Sequence, residues 1–348
     1  MAALAPAVAA IRAAVRHHLS RTGDGPVLVA CSGGADSFAL AAGVAFVAPR
    51  LGRSAGLATV DHQLQEGSAE RATAVAEWAE KAGFAPVVVT AVDVAGRPGG
   101  PEASAREARY AALVTAAQAH GADQILLGHT RDDQAETVLL AMLRGAGLRG
   151  LAGMPVTRSV ESITLGRPLL DISRAETRSA CDALDLPVWV DPHNTDPAYR
   201  RSHARVLLGS LVAALGPGVV GNLARTARLA GQDAELLDAL ASQASAELSG
   251  MPGSADGLPV SGLMELPEAL RGRVLHAWAR SLGSPAGALG RVHVDALEAL
   301  VVDWHGQGPA GLPGGIEVAR ERGRLVQVSA APRERAGGRY LGGGDCDR

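Results

Sequence analysis

Two stretches of this sequence combine residue types that could bind and cleave a nucleoside polyphosphate. Residues 31–37 read Cys-Ser-Gly-Gly-Ala-Asp-Ser, directly after the apolar run Pro-Val-Leu-Val-Ala. A glycine-rich turn between a strand and a helix cradles phosphate, because backbone N–H groups and the helix N-terminus both point at the anion. Gly33 and Gly34 permit close backbone approach, and Ser32 and Ser37 add hydroxyls. The lysine that a Walker-type loop sends to the terminal phosphates is missing, and Asp36 stands before the closing serine. A carboxylate approaches a polyphosphate only with a cation between them, so Asp36 reads as a Mg²⁺ ligand. The alternative is an N-cap for a helix that begins near Ser37.

The second stretch, His-Thr-Arg-Asp-Asp-Gln-Ala-Glu-Thr at 129–137, runs into Val-Leu-Leu-Ala-Met-Leu. A helix starting near Arg131 sets Asp132 and Glu136 one turn apart and puts Asp133 and Glu136 on one face. Across a crevice from Asp36 these carboxylates would hold a metal or orient an amine; alone, an acidic first turn simply answers the helix dipole. His62 and His129 each close an apolar run and suit nucleotide contact better than zinc, since no His-x-x-x-His spacing or cysteine pair accompanies them. Arg106, Arg109 and Tyr110 share a helical start, where they would meet phosphate or substrate, or pair with Glu102 and Glu107. Arg200, Arg201 and Arg205 cluster in Tyr-Arg-Arg-Ser-His-Ala-Arg, and between Arg144 and Arg228 eleven arginines stand against seven acidic residues. That local basic excess suits RNA phosphate, although a solvated helix face carries the same charges.

The elements that must position these groups are legible in the apolar pattern. Short apolar runs at 26–32, 55–62, 85–92 and 123–129 alternate with helical stretches near 38–49, 68–83 and 102–120. Runs rich in Val, Leu and Ile read as strands buried on both faces, which predicts a doubly wound parallel α/β domain with ligands at the carboxyl ends of its strands. The polar signals do fall where those runs end. A further apolar run at 167–170, a helix near 173–184 and a polar loop at 191–205 lead into helices that reach about residue 249. We expect a catalytic domain over 1–215, a helical linker over 216–250, a small α+β domain over 251–330 and a disordered tail over 331–348. In the small domain, helices near 267–282 and 291–304 precede a hairpin in Ile-Glu-Val-Ala-Arg-Glu-Arg-Gly-Arg-Leu-Val-Gln-Val-Ser.

Composition narrows the class. With 47% hydrophobic and 20% charged residues the 348-residue chain can build real cores, and a net charge of −3 argues against a uniformly basic nucleic-acid binder. Of the 33 basic residues only Lys81 is a lysine, so cationic contacts to phosphate fall to arginine. No run approaches the roughly 20 apolar residues of a membrane span, and the N-terminal stretch reads as an amphipathic helix rather than a signal peptide. Cys31, Cys181 and Cys346 are odd in number and far apart, which speaks against disulfides and structural zinc and for a cytoplasmic setting.

The string Ser-Gly-Gly-x-Asp-Ser after a strand resembles the PP-loop of the N-type ATP pyrophosphatases, which cleave ATP between the α- and β-phosphates. Within that superfamily the order of four stretches resembles the tRNA(Ile)-lysidine synthase family: Val-Asp-His-Gln-Leu-Gln, Ala-Arg-Glu-Ala-Arg-Tyr, the long run from Gly128 to Met154, and 191–205. The resemblance covers roughly residues 26–210 and implies adenylation of O2 of the wobble cytidine in the CAU anticodon of an isoleucine tRNA, followed by attack of the ε-amine of free L-lysine. It implies an ATP site at Ser32, Gly33, Gly34, Ala35, Asp36 and Ser37 with His62 and His129, and Mg²⁺ on Asp36, Asp132 and Asp133. It also implies catalytic duties for Asp36, Asp132, Asp133, Glu136 and Arg109, and tRNA contact by Arg200, Arg201 and Arg205. Two positions depart from the family pattern: Thr130 stands where many members have a second histidine, and Ser202 where asparagine is expected. Rival readings are another PP-loop tRNA-modifying or amide-forming enzyme and a non-catalytic nucleotide-binding module; a sulfur-transferring relative would need the cysteine pair that is missing. The oligomeric state is open, a homodimer included.

Overall fold

The computed structural model describes residues 4–61, 63, 67–92, 101–189, 200–251, 257–285 and 287–328, and of residues 101–105, 200 and 201 the backbone alone. The expected tail lies outside the described residues, as does His62. The chain divides into two compact units, Met1–Gln232 and Asp233–Arg348, with the division inside a continuous helix, Gly218–Ser249.

The first unit is built on a six-stranded sheet. Its order is β3 (Val87–Ala91), β2 (Ala55–Asp61), β1 (Val27–Ala30), β4 (Gln124–Leu127), β6 (Ile163–Gly166), β5 (Thr157–Val160). All neighbours are parallel except β5 and β6, which form an antiparallel hairpin at one edge. Parallel pairing requires long crossovers, and helices α2 (Ala35–Val47), α3 (Ser68–Lys81) and α4 (Pro101–Ala119) supply them. Alternation along β1 explains the two cores: Val27 and Val29 join α1 (Pro6–Leu19), α2, α3 and α7 (Arg174–Ala183) on one face, while Leu28 joins Leu113, Ala117 and Ile125 on the other. Helix α2 is apolar all round because it lies between the sheet and the pair α1 and α7; Phe38, Leu40, Val44 and Val47 are all buried. The expected double burial fails at β3, an edge strand that exposes Val89. The apolar run at 167–170 forms a turn, and the strands lie just before it.

Strand order reverses between β1 and β4, whose ends are in register with Ala30 opposite Leu127. Residues 31–37 and 128–137 therefore leave adjacent strands at the switch point, where doubly wound sheets open a crevice. Glycine at 128 is what lets them approach: a Cβ there would lie 2.8 Å from the Asp36 carbonyl oxygen and 3.0 Å from the Ser37 nitrogen.

The second unit holds a four-stranded antiparallel sheet ordered β7 (Leu258–Pro259), β10 (Arg324–Val328), β9 (Ile316–Glu321), β8 (Ala310–Leu312). Helices Val260–Glu265, Glu268–Ser281 and Arg291–Val302 cover it around Leu263, Leu275, Leu297, Val318 and Leu325. Arg322 and Gly323, both at positive φ, make the two-residue turn of its hairpin. No single helix among the described residues is long and apolar enough to cross a membrane.

Candidate active site

The phosphate loop is set by the end of β1 and the start of α2. Cys31 extends the ladder by donating its N–H to Ala58 O, and Gly33 then turns the chain at φ +85°. The first intrahelical hydrogen bond runs from Phe38 N–H to Gly34 O at 3.0 Å. The N–H groups at the helix start thus point out of it, as an anion site requires. Ser37 braces the turn from within: its Oγ donates to Gly34 O at 2.8 Å and accepts from Ser32 N–H at 3.2 Å. The N-cap is Gly34, so Asp36 is no cap; its carboxylate reaches out to α7, where Thr177 Oγ1 donates to it and Arg174 Nε lies 3.7 Å away.

The acidic turn is set by β4 and helix α5 (Arg131–Leu143). Thr130 is fully buried and caps α5 in a reciprocal box with Asp133, whose Oδ2 accepts from Thr130 N–H and Oγ1, both at 2.8 Å. A threonine at 130 therefore has a structural duty of its own. Helix α7 begins beside it with a second such box, Ser173 with Glu176, and Asp132 Oδ2 accepts the Arg174 N–H at 2.8 Å. Two helix starts are tied nose to nose.

Arg174, a residue that the sequence did not single out, occupies the centre. Its guanidinium donates to Asp133 Oδ1 at 2.9 Å and to Glu136 Oε1 at 3.1 Å, besides facing Asp36. Glu136, itself buried, also accepts from Arg205 Nε at 3.0 Å. Burial works against the Arg174 charge, yet Asp133, Glu136, Asp36 and Asp132 together hold its pKa above the ordinary range. Burial would raise the Asp133 carboxyl, but Arg174 and the Thr130 hydrogen bonds leave it below the usual value. Asp36 goes the other way: burial, with Asp133 and Asp132 adding, outweighs Thr177 and Arg174 and lifts its pKa. Asp36, Asp133 and Glu136 share the Arg174 and Arg205 guanidiniums, with Asp132 alongside on the Arg174 backbone N–H, so carboxylates outnumber guanidiniums and the pocket suits a cation.

His129 stands beside Asp133 closely enough for its charge to act there. Arg109 lies half-buried on α4, its guanidinium 6.0 Å from the Tyr110 ring centre. Arg205 is on helix α8 (Arg200–Leu215), which packs against α5, and it faces Glu136; the side chains of Arg200 and Arg201 lie outside the described residues. Ser202 is buried. Among the described residues no group of three His, Cys, Asp or Glu side chains is arranged to hold a metal. Asp132 and Asp133 have hydrogen bonds committed to helix starts and to Arg174, whereas Asp36 sits next to the phosphate loop. Asp36, on the phosphate loop, would be the residue to hold magnesium beside a bound nucleotide, in keeping with an ion that binds proteins through one or two carboxylates.

Helix α7 and the segment after it close the loop from behind. Cys181 Sγ donates to Ala35 O at 3.2 Å and Trp189 N–H donates to Gly33 O at 2.9 Å. Both described thiols are buried, which raises their pKa, that of Cys181 to about 12. Neither is poised as a thiolate.

Comparison with known proteins shows the family. Residues 8–211 match the PP-loop domain family and residues 258–326 match the TilS substrate binding domain family. The chain is 64% identical to the tRNA(Ile)-lysidine synthase of Salinispora tropica, over 94% of this chain and 98% of that protein. It is 52% identical to the enzyme of that name from Streptomyces coelicolor (86% and 84% covered) and 51% identical to that of Thermobifida fusca (93% and 98%). Among solved structures, a U34-tRNA thiolase, NcsA from Methanococcus maripaludis, superposes with a TM-score of 0.54 at 20% identity, over 64% of this chain and 78% of its own, which is a likeness of fold.

Proposed function

Since the chain belongs to the tRNA(Ile)-lysidine synthase family, we propose that it joins L-lysine to C2 of the wobble cytidine in the CAU anticodon of an isoleucine tRNA, at the expense of ATP. In the first step the cytidine O2 attacks the α-phosphorus, and pyrophosphate leaves. In the second the lysine ε-nitrogen attacks C2, the C2–O bond breaks, AMP departs and the amine gives up a proton. The observation that supports this reading is the juxtaposition of an amide-lined loop and a net-negative pocket across the switch point, bridged by Asp36 to Thr177 and Arg174.

The chain's own residues divide the work. Amides at 34–37 hold the leaving phosphates, and the turn is kept in shape by Ser37. Bound magnesium would supply charge neutralisation at those phosphates, with Asp36 as its protein ligand. The negative charge that Arg174 and Arg205 leave unanswered around Asp133 and Glu136 would attract and orient the lysine ammonium, and a carboxylate of the pocket would take the proton that the amine must lose. Arg200, Arg201 and Arg205, at the start of α8, engage tRNA phosphate. Incubation with ATP, Mg²⁺, lysine and the tRNA tests the reading: AMP and pyrophosphate should form only when the RNA is present. ADP as product, or AMP formation indifferent to the tRNA, overturns it.

A further inference from the structure

A loop that releases pyrophosphate without a Walker lysine still faces a multiply charged leaving group. The one lysine of the chain, Lys81, closes α3, about 15 Å along the helix axis from Arg71 in the first turn. Helix α3 follows β2 and runs back along the sheet against β2 and β3, so its first turn lies at the carboxyl ends of the strands and its last turn at the far side. Its inner face touches the loop: a Cβ on Gly33 would meet Val75 Cγ2 at 3.4 Å. Arg71 is one turn before Val75 on the same face, and helical side chains lean toward the N-terminus, which carries the guanidinium to the rim of the crevice. There its Cζ lies over the Trp189 ring, 4.0 Å from its centre, and Trp189 is the residue whose backbone N–H donates to Gly33 O. The main chain at Trp189 is thus tied to the phosphate loop, and the Arg71 cation lies over the ring that this residue carries.

We propose that Arg71, held on Trp189 at the rim of the phosphate loop, is the cation that receives the departing pyrophosphate. The inference rests on the adenylation chemistry proposed above and adds a substrate-touching residue to it. A planar guanidinium offers paired donors to phosphate oxygens and stacks on an indole face, two properties that an ammonium on a flexible stem does not combine. Trp189 is then a positioning residue: it orients the arginine and transmits the placement of Gly33.

The test uses the full-length enzyme with ATP, lysine and tRNA, reading AMP and pyrophosphate release, the ATP KM, and product inhibition by added pyrophosphate. For R71A we expect the ATP KM and the pyrophosphate inhibition constant each to rise about ten-fold, the loss of one charge-assisted contact, with the lysine KM within two-fold of wild type. R71K should recover part of both. R71Q keeps the stem that covers Trp189 and should lose as much as R71A, while W189F should hold wild-type values and W189L should approach R71A. Unchanged pyrophosphate inhibition in R71Q would reduce Arg71 to a packing residue and overturn the proposal. A wild-type enzyme that releases no pyrophosphate would instead overturn the reaction on which it rests.

Discussion

Arg174→Ala exposes how much of the site depends on one guanidinium. The side chain is 18% exposed and meets carboxylates that are 15% and 3% exposed at 2.9 and 3.1 Å, with Asp36 further off at 3.7 Å. Removing one partner of a buried ion pair costs about 3–5 kcal/mol, and here the low end applies, because stranded carboxylates can take up protons. A loss of about 3 kcal/mol corresponds to a fall in Tm of about 6–12 °C for a domain of this size. The signature is a coupling: once Arg174 is gone, Glu136→Gln relieves repulsion, so the double variant should be more stable than the sum of the single losses. The pH profile should move as well. In the native protein Asp133 is held below its usual pKa, so its contribution is present above the ordinary aspartate value, about 3.9, and is lost as pH falls through the lower native one. Without Arg174 that acid limb should shift upward. Urea titrations of the four proteins across the acid range measure both effects. A change below about 0.5 kcal/mol in R174A, with additive double-variant energies, would refute the reasoning, since surface substitutions lie within that band.

Three further outcomes follow from the geometry. Asp36 carries a raised pKa, so its contribution to stability is full below the ordinary aspartate value and fades as pH rises through the native one; Mg-ATP affinity should gain over that same interval, and D36N, measured by calorimetry, should bind weakly with a flat profile. Gly128→Ala drives a methyl into the backbone of Asp36 and Ser37, which should cost about 1–3 kcal/mol and raise the ATP KM; wild-type values would show that the strand ends are less closely apposed. Peptides containing Cys31 and Cys181 should resist iodoacetamide at neutral pH until urea is added, whereas prompt labelling in the native protein would contradict their burial and raised pKa.

What the sequence disclosed and what it withheld divide along physical lines. Strands β1, β2 and β4 and the turns that end them are legible as apolar runs, because burial on a sheet interior leaves a local record; β3 carries such a run too, although it lies at an edge. The acidic turn was legible for the same reason: Asp132, Asp133 and Glu136 are neighbours in sequence and share a helix start. Strand β5, Thr-Arg-Ser-Val, shows three exposed residues at a sheet edge and so leaves no apolar signature. Arg174 was invisible as a site residue, although Ser-x-x-Glu at 173–176 marks a helix start, because its partners lie 38 and 41 residues away and only tertiary docking turns it toward them. Thr130, conspicuous as a departure from a histidine, turns out to be a helix cap whose signature, Thr-x-x-Asp, was there to be read. The helix Gly218–Ser249 lies within the 216–250 stretch read as a helical linker, and the division between the compact units falls inside it, where helical periodicity runs on without a break.

The most direct measurement of the central claim is a crystal structure of the protein with Mg²⁺ and an ATP analogue that resists cleavage between the α- and β-phosphates. We expect the β- and γ-phosphates on the amides of residues 34–37, the metal between Asp36 and phosphate oxygens, and the α-phosphorus turned toward the Asp133–Glu136 side of the crevice. A triphosphate bound away from Gly33–Ser37, or a metal held without Asp36, would contradict it.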